Sequence, residues 1–113
     1  MKVIVAGGRN FKYEEKHIYW LMVQLSELGA TEVVSGDAPG ADQLGIYVAN
    51  EMKLPVKHFS ADWATFGKSA GPRRNKEMAD YADVCILFPG GKGTLNMRLV
   101  AEANEVQIID YKE

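Results

Sequence analysis

The chain has 113 residues, a net charge of −2, a pI near 5.7, and 47% hydrophobic residues. These values exclude a disordered chain and a protein that coats nucleic acid through its overall charge, and the length suits one domain covering residues 1–113. The one cysteine, Cys85, excludes an internal disulfide, and no apolar stretch approaches membrane length. No secretory leader is legible at the N-terminus. A cytoplasmic protein without a membrane partner is therefore expected.

The first apolar run, Lys2 to Ala6, predicts a strand, and Gly7-Gly8-Arg9 follows it. A helix is predicted over Tyr13 to Leu28, with Ile18, Leu21, Met22, Leu25 and Leu28 on one face and Gly29 placed to end it. A second strand covers Glu32 to Ser35. The next helix runs from Gly40 to Lys53, with Ala41, Leu44, Val48 and Met52 inward, and Pro55 forbids its continuation. The third strand is Val56 to Phe59. The stretch Ser60 to Gly71 is predicted to be an ordered irregular loop because it carries Trp63 and Phe66. A helix beginning near Pro72 and ending near Tyr81 leads to the fourth strand, Val84 to Phe88. A last helix, Thr94 to Asn104, and a last strand, Gln107 to Asp110, complete the chain.

This alternation predicts an α/β fold: a three-layer, Rossmann-like domain with a five-stranded parallel sheet in the order 3-2-1-4-5. Most of the apolar runs lack polar alternation, as strands covered on both faces do. Ligands of such sheets bind at the carboxyl ends of the strands, so the residues that follow each strand are the candidates for a site.

The segment Pro89-Gly90-Gly91-Lys92-Gly93-Thr94 is the most informative of these. It joins a strand to a helix, its glycines allow close backbone approach, and the helix start offers free N–H groups to an anion. It is not a P-loop, because the four residues between the first glycine and a Gly-Lys pair are missing. After the first strand, Gly7 and Gly8 form a turn, and Arg9 is suited to clamp a phosphate. After the second come Ser35, Gly36, Asp37, Gly40 and Asp42. Asp37 would repel phosphate but suits sugar hydroxyls. The same segment also reads as a capped helix start. After the third, Asp62 and Trp63 read equally as a loop pair that packs and as a base-stacking site. Arg73, Arg74 and Lys76 in the first turns of a helix, with Asn75 between them, point to a bound anion, because the helix dipole disfavours cations there. A solvated basic face is the alternative.

His17 and His58 lack metal-ligand partners at useful spacing and read as structural or solvated. No zinc site, and no Ser-His-Asp or Cys-His constellation, is drawn from spacing. Cys85 reads as a small buried hydrophobe.

Taken together, Gly7-Gly8-Arg9, Ser35-Gly36 with Gly40-Ala41-Asp42, Ala61-Asp62-Trp63, Gly67, Ala70-Gly71-Pro72 with Arg74-Asn75 and Met78, and Pro89-Gly90-Gly91 with Gly93-Thr94 resemble the YspA-like branch of the SLOG superfamily. That superfamily also holds the LOG phosphoribohydrolases and the DNA-processing protein DprA. The resemblance extends over nearly the whole chain. It implies a Rossmann-like fold that binds a nucleotide or nucleotide-derived molecule, such as an ADP-ribose-like ligand, as sensor or sequestering protein. LOG enzymes cleave the bond between base and ribose 5′-phosphate with an Arg, matched here by Arg74, and a motif Glu, whose position here is Met97. A thioether replaces a carboxylate there, so non-enzymatic binding is favoured. An altered N-glycosidase would need Asp37, Asp62 or Glu102, with Arg74, to take over. No cofactor is required by this reading. A magnesium ion would accompany a nucleotide, but no residue pattern supports one. The apolar helix faces would allow a homo-oligomer. DNA binding by analogy with DprA is disfavoured by the slightly acidic charge balance.

Overall fold

The computed structural model describes residues 1–113 and contains the five expected strands: β1 (Lys2–Ala6), β2 (Glu32–Ser35), β3 (Val56–His58), β4 (Val84–Leu87) and β5 (Gln107–Asp110). All neighbouring strands pair in parallel, in the order β3-β2-β1-β4-β5. Five α-helices lie along the chain: α1 (Glu15–Glu27), α2 (Ala41–Glu51), α3 (Trp63–Phe66), α4 (Ala70–Tyr81) and α5 (Lys92–Ala103). The architecture is the expected three-layer α/β sandwich. No helix is long and apolar enough to cross a membrane.

The sheet has a core on each face because successive side chains of a strand point in opposite directions. Val3 and Val5 of β1, with Val33, Val84, Ile86 and Phe88, pack against Leu21 and Leu25 of α1 and Leu44 and Val48 of α2. Ile4 and Ala6, with Val34, Cys85 and Leu87, pack against Met78 of α4 and Met97 and Ala101 of α5. The apolar runs of the central strands β1, β2 and β4 are thus explained residue by residue, whereas the edge strands β3 and β5 leave Lys57, His58, Gln107 and Asp110 exposed because each lacks a neighbour on one side. Each fully buried Leu or Ile contributes roughly 1.5–3 kcal/mol. Burial pushes the Cys85 thiol up to about 12, which fits its reading as an inert core residue.

Several boundaries differ from the sequence expectations. Helix α1 begins two residues late because Glu14 and His17 cap it reciprocally, with the Glu14 N–H donating to His17 Nδ1 at 2.9 Å. His17 is buried against Phe11, Phe88 and Tyr111, a structural role. Helix α2 stops at Glu51, two residues before Lys53, whose φ is +57°. Helix α5 begins at Lys92 rather than Thr94. The stretch Ser60 to Gly71 is mostly helical. Asp62 accepts the Thr65 N–H at 3.1 Å and caps α3, a short 3-10 turn (Gly67–Ser69) follows, and α4 begins at Ala70. Pro72 sits within the first turn of α4, where a missing N–H costs no helical bond. Arg73, Arg74 and Lys76 therefore stand in the second turn, not at the positive helix end, and the dipole argument for an anion there loses force.

Candidate functional site

The turns after β1, β2 and β4 are knitted together at the carboxyl edge of the sheet. The Gly8 carbonyl accepts the N–H groups of Phe11 and Ala41, both at 3.2 Å, and the Gly8 N–H donates to Pro89 O at 2.9 Å. One residue thus ties the β1 turn to the start of α2 and to the glycine loop. Two glycines make this approach feasible. Gly40 has φ +79°, and a Cβ there would lie 2.7 Å from the Arg9 carbonyl oxygen. A Cβ on Gly90 would lie 2.7 Å from Gly8 N and overlap Thr94 Oγ1.

Helix α5 opens from this knot. Its first intrahelical-type bond from the loop is Leu95 N–H to Gly91 O, at 3.0 Å. The N–H groups of Lys92, Gly93 and Thr94 precede it and have no carbonyl one turn behind to receive them, as at any helix start. Glycines at 91 and 93 leave that backbone uncovered, since a Cβ at either would meet nothing within 4 Å. The arrangement can hold an anion through backbone donors and the helix dipole.

Arg74 reaches this rim from α4. Its Nη1 donates to Gly36 O, and its Nε donates to Asn75 Oδ1 at 3.1 Å. Burial lowers the guanidinium pKa. Asp42 opposes that effect, and the positive charge of Arg9 adds to it, so Arg9 and Arg74 share one region of the rim. Asp42 lies beneath, buried, with Oδ2 accepting the Ala38 N–H at 3.2 Å. Burial raises its carboxyl to about 6, against the stabilising hydrogen bond from Ala38 and the charge of Arg74. Asp42 thus holds the β2 turn and balances Arg74 rather than facing a ligand. Ser35 is also buried, and its Oγ accepts the Asp37 N–H at 3.2 Å. Asn75 is buried as well. Its Nδ2 donates to Asn96 Oδ1 at 2.9 Å and to Gly93 O at 3.4 Å, which fixes the first turn of α5 against α4. Of the residues expected to touch a ligand, Ser35, Asp42 and Asn75 are therefore supports.

Arg73 does not join Arg74. Its guanidinium lies 4.2 Å from the centre of the Phe66 ring, and its Nε donates to Ser69 Oγ at 3.1 Å. Asp62 is spent in part on capping α3. Trp63 is half-exposed and rests its ring edge on Gly71, where a Cβ would come within 3.2 Å. Asp37, at φ +61°, places Oδ1 2.5 Å from His58 Nδ1, while its Oδ2 accepts from Ser60 Oγ at 2.9 Å. Each carboxylate oxygen of Asp37 thus has one partner at the end of β3, and the side chain keeps part of its surface exposed. His58 and Ser60 are rim residues that the sequence reading did not select. Their place at the end of the third strand was the available signal.

A depression of about 280 Å³ lies on the β5 side of the glycine loop, lined by Gly90, Gly91, Thr94, Arg98, Asp110 and Tyr111 among others. Its one cation, Arg98, is paired with Asp110. The loop is thus open on its β5 side and packed against Gly8 on its β1 side.

Met97, at the position of the LOG carboxylate, is 1% exposed and belongs to the core between the sheet and α4. Glu102 is exposed farther along α5, where its charge is felt by Arg98 rather than by the rim cations. The candidate carboxylates near the rim are therefore Asp37, Asp42 and Asp62, all engaged as described.

No family model matches the chain. It is similar to the "Gene 61 protein" of Mycobacterium phage D29, with 39% identity over 83 residues, covering 67% of this chain and 66% of that protein. The chain thus spans just under two thirds of that relative's length.

Proposed function

We propose that this chain is a YspA-like, SLOG-type binding protein that captures a phosphorylated, nucleotide-derived small molecule, as sensor or sequestering protein, at the carboxyl edge of its sheet. The observation that carries the reading is the junction at Gly8. It brings an uncovered helix start, Gly91 to Thr94, to the same edge as Arg9 and Arg74. Backbone donors would take one phosphate, and the two arginines would neutralise the ligand's charge. Trp63, with half its surface free, would offer a face to a base. Binding is preferred to LOG-type hydrolysis because Met97 fills the carboxylate position with a buried thioether.

The test is thermal unfolding with AMP, ADP and ADP-ribose at millimolar concentration. A ligand at 100 times its Kd stabilises by about 2.7 kcal/mol, a shift of several degrees in a domain of this size. Arg74→Ala is expected to abolish most of that shift. Failure of all three nucleotides to raise the Tm would end the reading. Release of free base from AMP, followed by chromatography, would replace it with the enzymatic one.

A further inference from the structure

Helix α5 buries Met97 and Ala101 against the sheet and turns its opposite side to solvent. At about 100° per residue, Lys92, Leu95, Leu99 and Glu102 fall within roughly 80° of arc on that outer side. All four are exposed, Leu95 by 55% and Leu99 by 54%, and these are the two exposed leucines of the chain. A single apolar residue at the surface is ordinary, but these two stand one turn apart and form a continuous strip. The steps of three, four and three residues along the stripe are those of a coiled-coil seam. The charges at its two ends are unpaired, since the ion pairs of the chain are Lys16–Glu113, His58–Asp37, Lys76–Asp80 and Arg98–Asp110.

The stripe is symmetric about position 97. Leu95 and Leu99 stand two residues to either side of it, and Lys92 and Glu102 stand five. A second α5 laid antiparallel about that midpoint sets each Leu95 against a Leu99 and each Lys92 against a Glu102. A parallel contact would instead oppose lysine to lysine and glutamate to glutamate. Antiparallel packing also brings opposite ends of the two helix dipoles together. We infer that the outer face of α5 is an isologous interface with a second copy of this chain, closed by Leu95–Leu99 contacts and two Lys92–Glu102 ion pairs. The pairing needs no ligand and stands apart from the nucleotide site. Helix α5 has 12 residues, roughly 18 Å of length. A contact of that length lies at the low end of specific interfaces, so the dimer is weak and concentration-dependent.

The experiment is analytical ultracentrifugation of the full chain from micromolar to millimolar concentration at low salt. The wild-type mass is expected to rise from 12.5 kDa toward twice that value. Leu99→Glu sets a carboxylate against each Leu95 and is expected to stay monomeric, with its Tm unchanged because position 99 is exposed. Lys92→Glu opposes like charges at both ends of the seam and is expected to weaken association about tenfold. Adding Glu102→Lys to that variant restores opposite charges at both ends, and with them the wild-type affinity. A wild type that stays monomeric at millimolar concentration overturns the inference. So does a dimer that survives Leu99→Glu, or a Lys92→Glu defect that Glu102→Lys does not repair.

Discussion

Gly36 and Arg74 meet so closely that a Cβ on Gly36 would lie 2.7 Å from Arg74 Nη1 and 3.0 Å from Asp42 Oδ2. The bond from Nη1 to the Gly36 carbonyl joins α4 to the turn after β2, two elements 38 residues apart in the chain. The clash expected in Gly36→Ala falls first on the far end of a flexible side chain. The variant should therefore fold, lose about 1 kcal/mol or less in urea unfolding, and bind ADP-ribose about tenfold more weakly because Arg74 is displaced. An equal affinity would show that Arg74 does not act from this position.

The glycines of the rim divide into two groups. Gly40→Ala combines a positive φ with contact against the Gly8 and Arg9 carbonyls and is expected to cost about 3 kcal/mol or more. Gly93→Ala meets open space within α5 and should stabilise the fold by about 0.5–1 kcal/mol, the difference in helix propensity. Urea midpoints of the two variants, compared at constant slope, check both signs.

Asp42 gives the fold a distinctive pH dependence. Its carboxyl is raised from 3.8 to about 6, so between those values the folded chain holds a proton that the unfolded chain has released. This group therefore favours folding increasingly as pH falls from above 6 toward 4, and it costs stability above 6, by about 3 kcal/mol at most. Asp42→Asn removes that dependence. The stability of the variant relative to wild type should rise between pH 4 and pH 7, as read from Tm across that range. A constant difference would mean that Asp42 is ionised throughout.

Met97 occupies the place where a LOG enzyme carries its carboxylate, but the side chain points into the core beside Ile4, Cys85 and Leu87. Met97→Glu buries an unpaired carboxyl and is expected to cost about 3 kcal/mol or more. Base release from AMP should not appear in this variant. Gain of turnover without loss of stability would contradict the packing seen here.

The strand order, the two-faced burial of the three central strands and the clustering of glycines at one edge were legible in the sequence. They follow from local rules: apolar runs separated by helical periodicity, right-handed crossovers, and glycine where backbones approach. The start of α4 was misread at Pro72, because the Asp62 cap and the turn at Gly67 extend helical structure into what composition marks as a loop. Arg73 and Arg74 are adjacent and chemically alike in the sequence. Only the folded helix sends one to Phe66 and the other to Gly36, about 100° apart around the axis.

What the sequence determined alone is the sheet, its order and the edge where the turns after the strands gather, since each depends on neighbours in the chain or on periodicity. What only the tertiary structure decided is which polar groups remain free at that edge. Asp37 and His58 are 21 residues apart, and Asn75 and Asn96 also 21. Such pairs are set by strand register and helix packing, and they engage Asp37, Asp42 and Asn75 within the fold while Arg9, His58 and the backbone at Gly91 and Gly93 stay exposed.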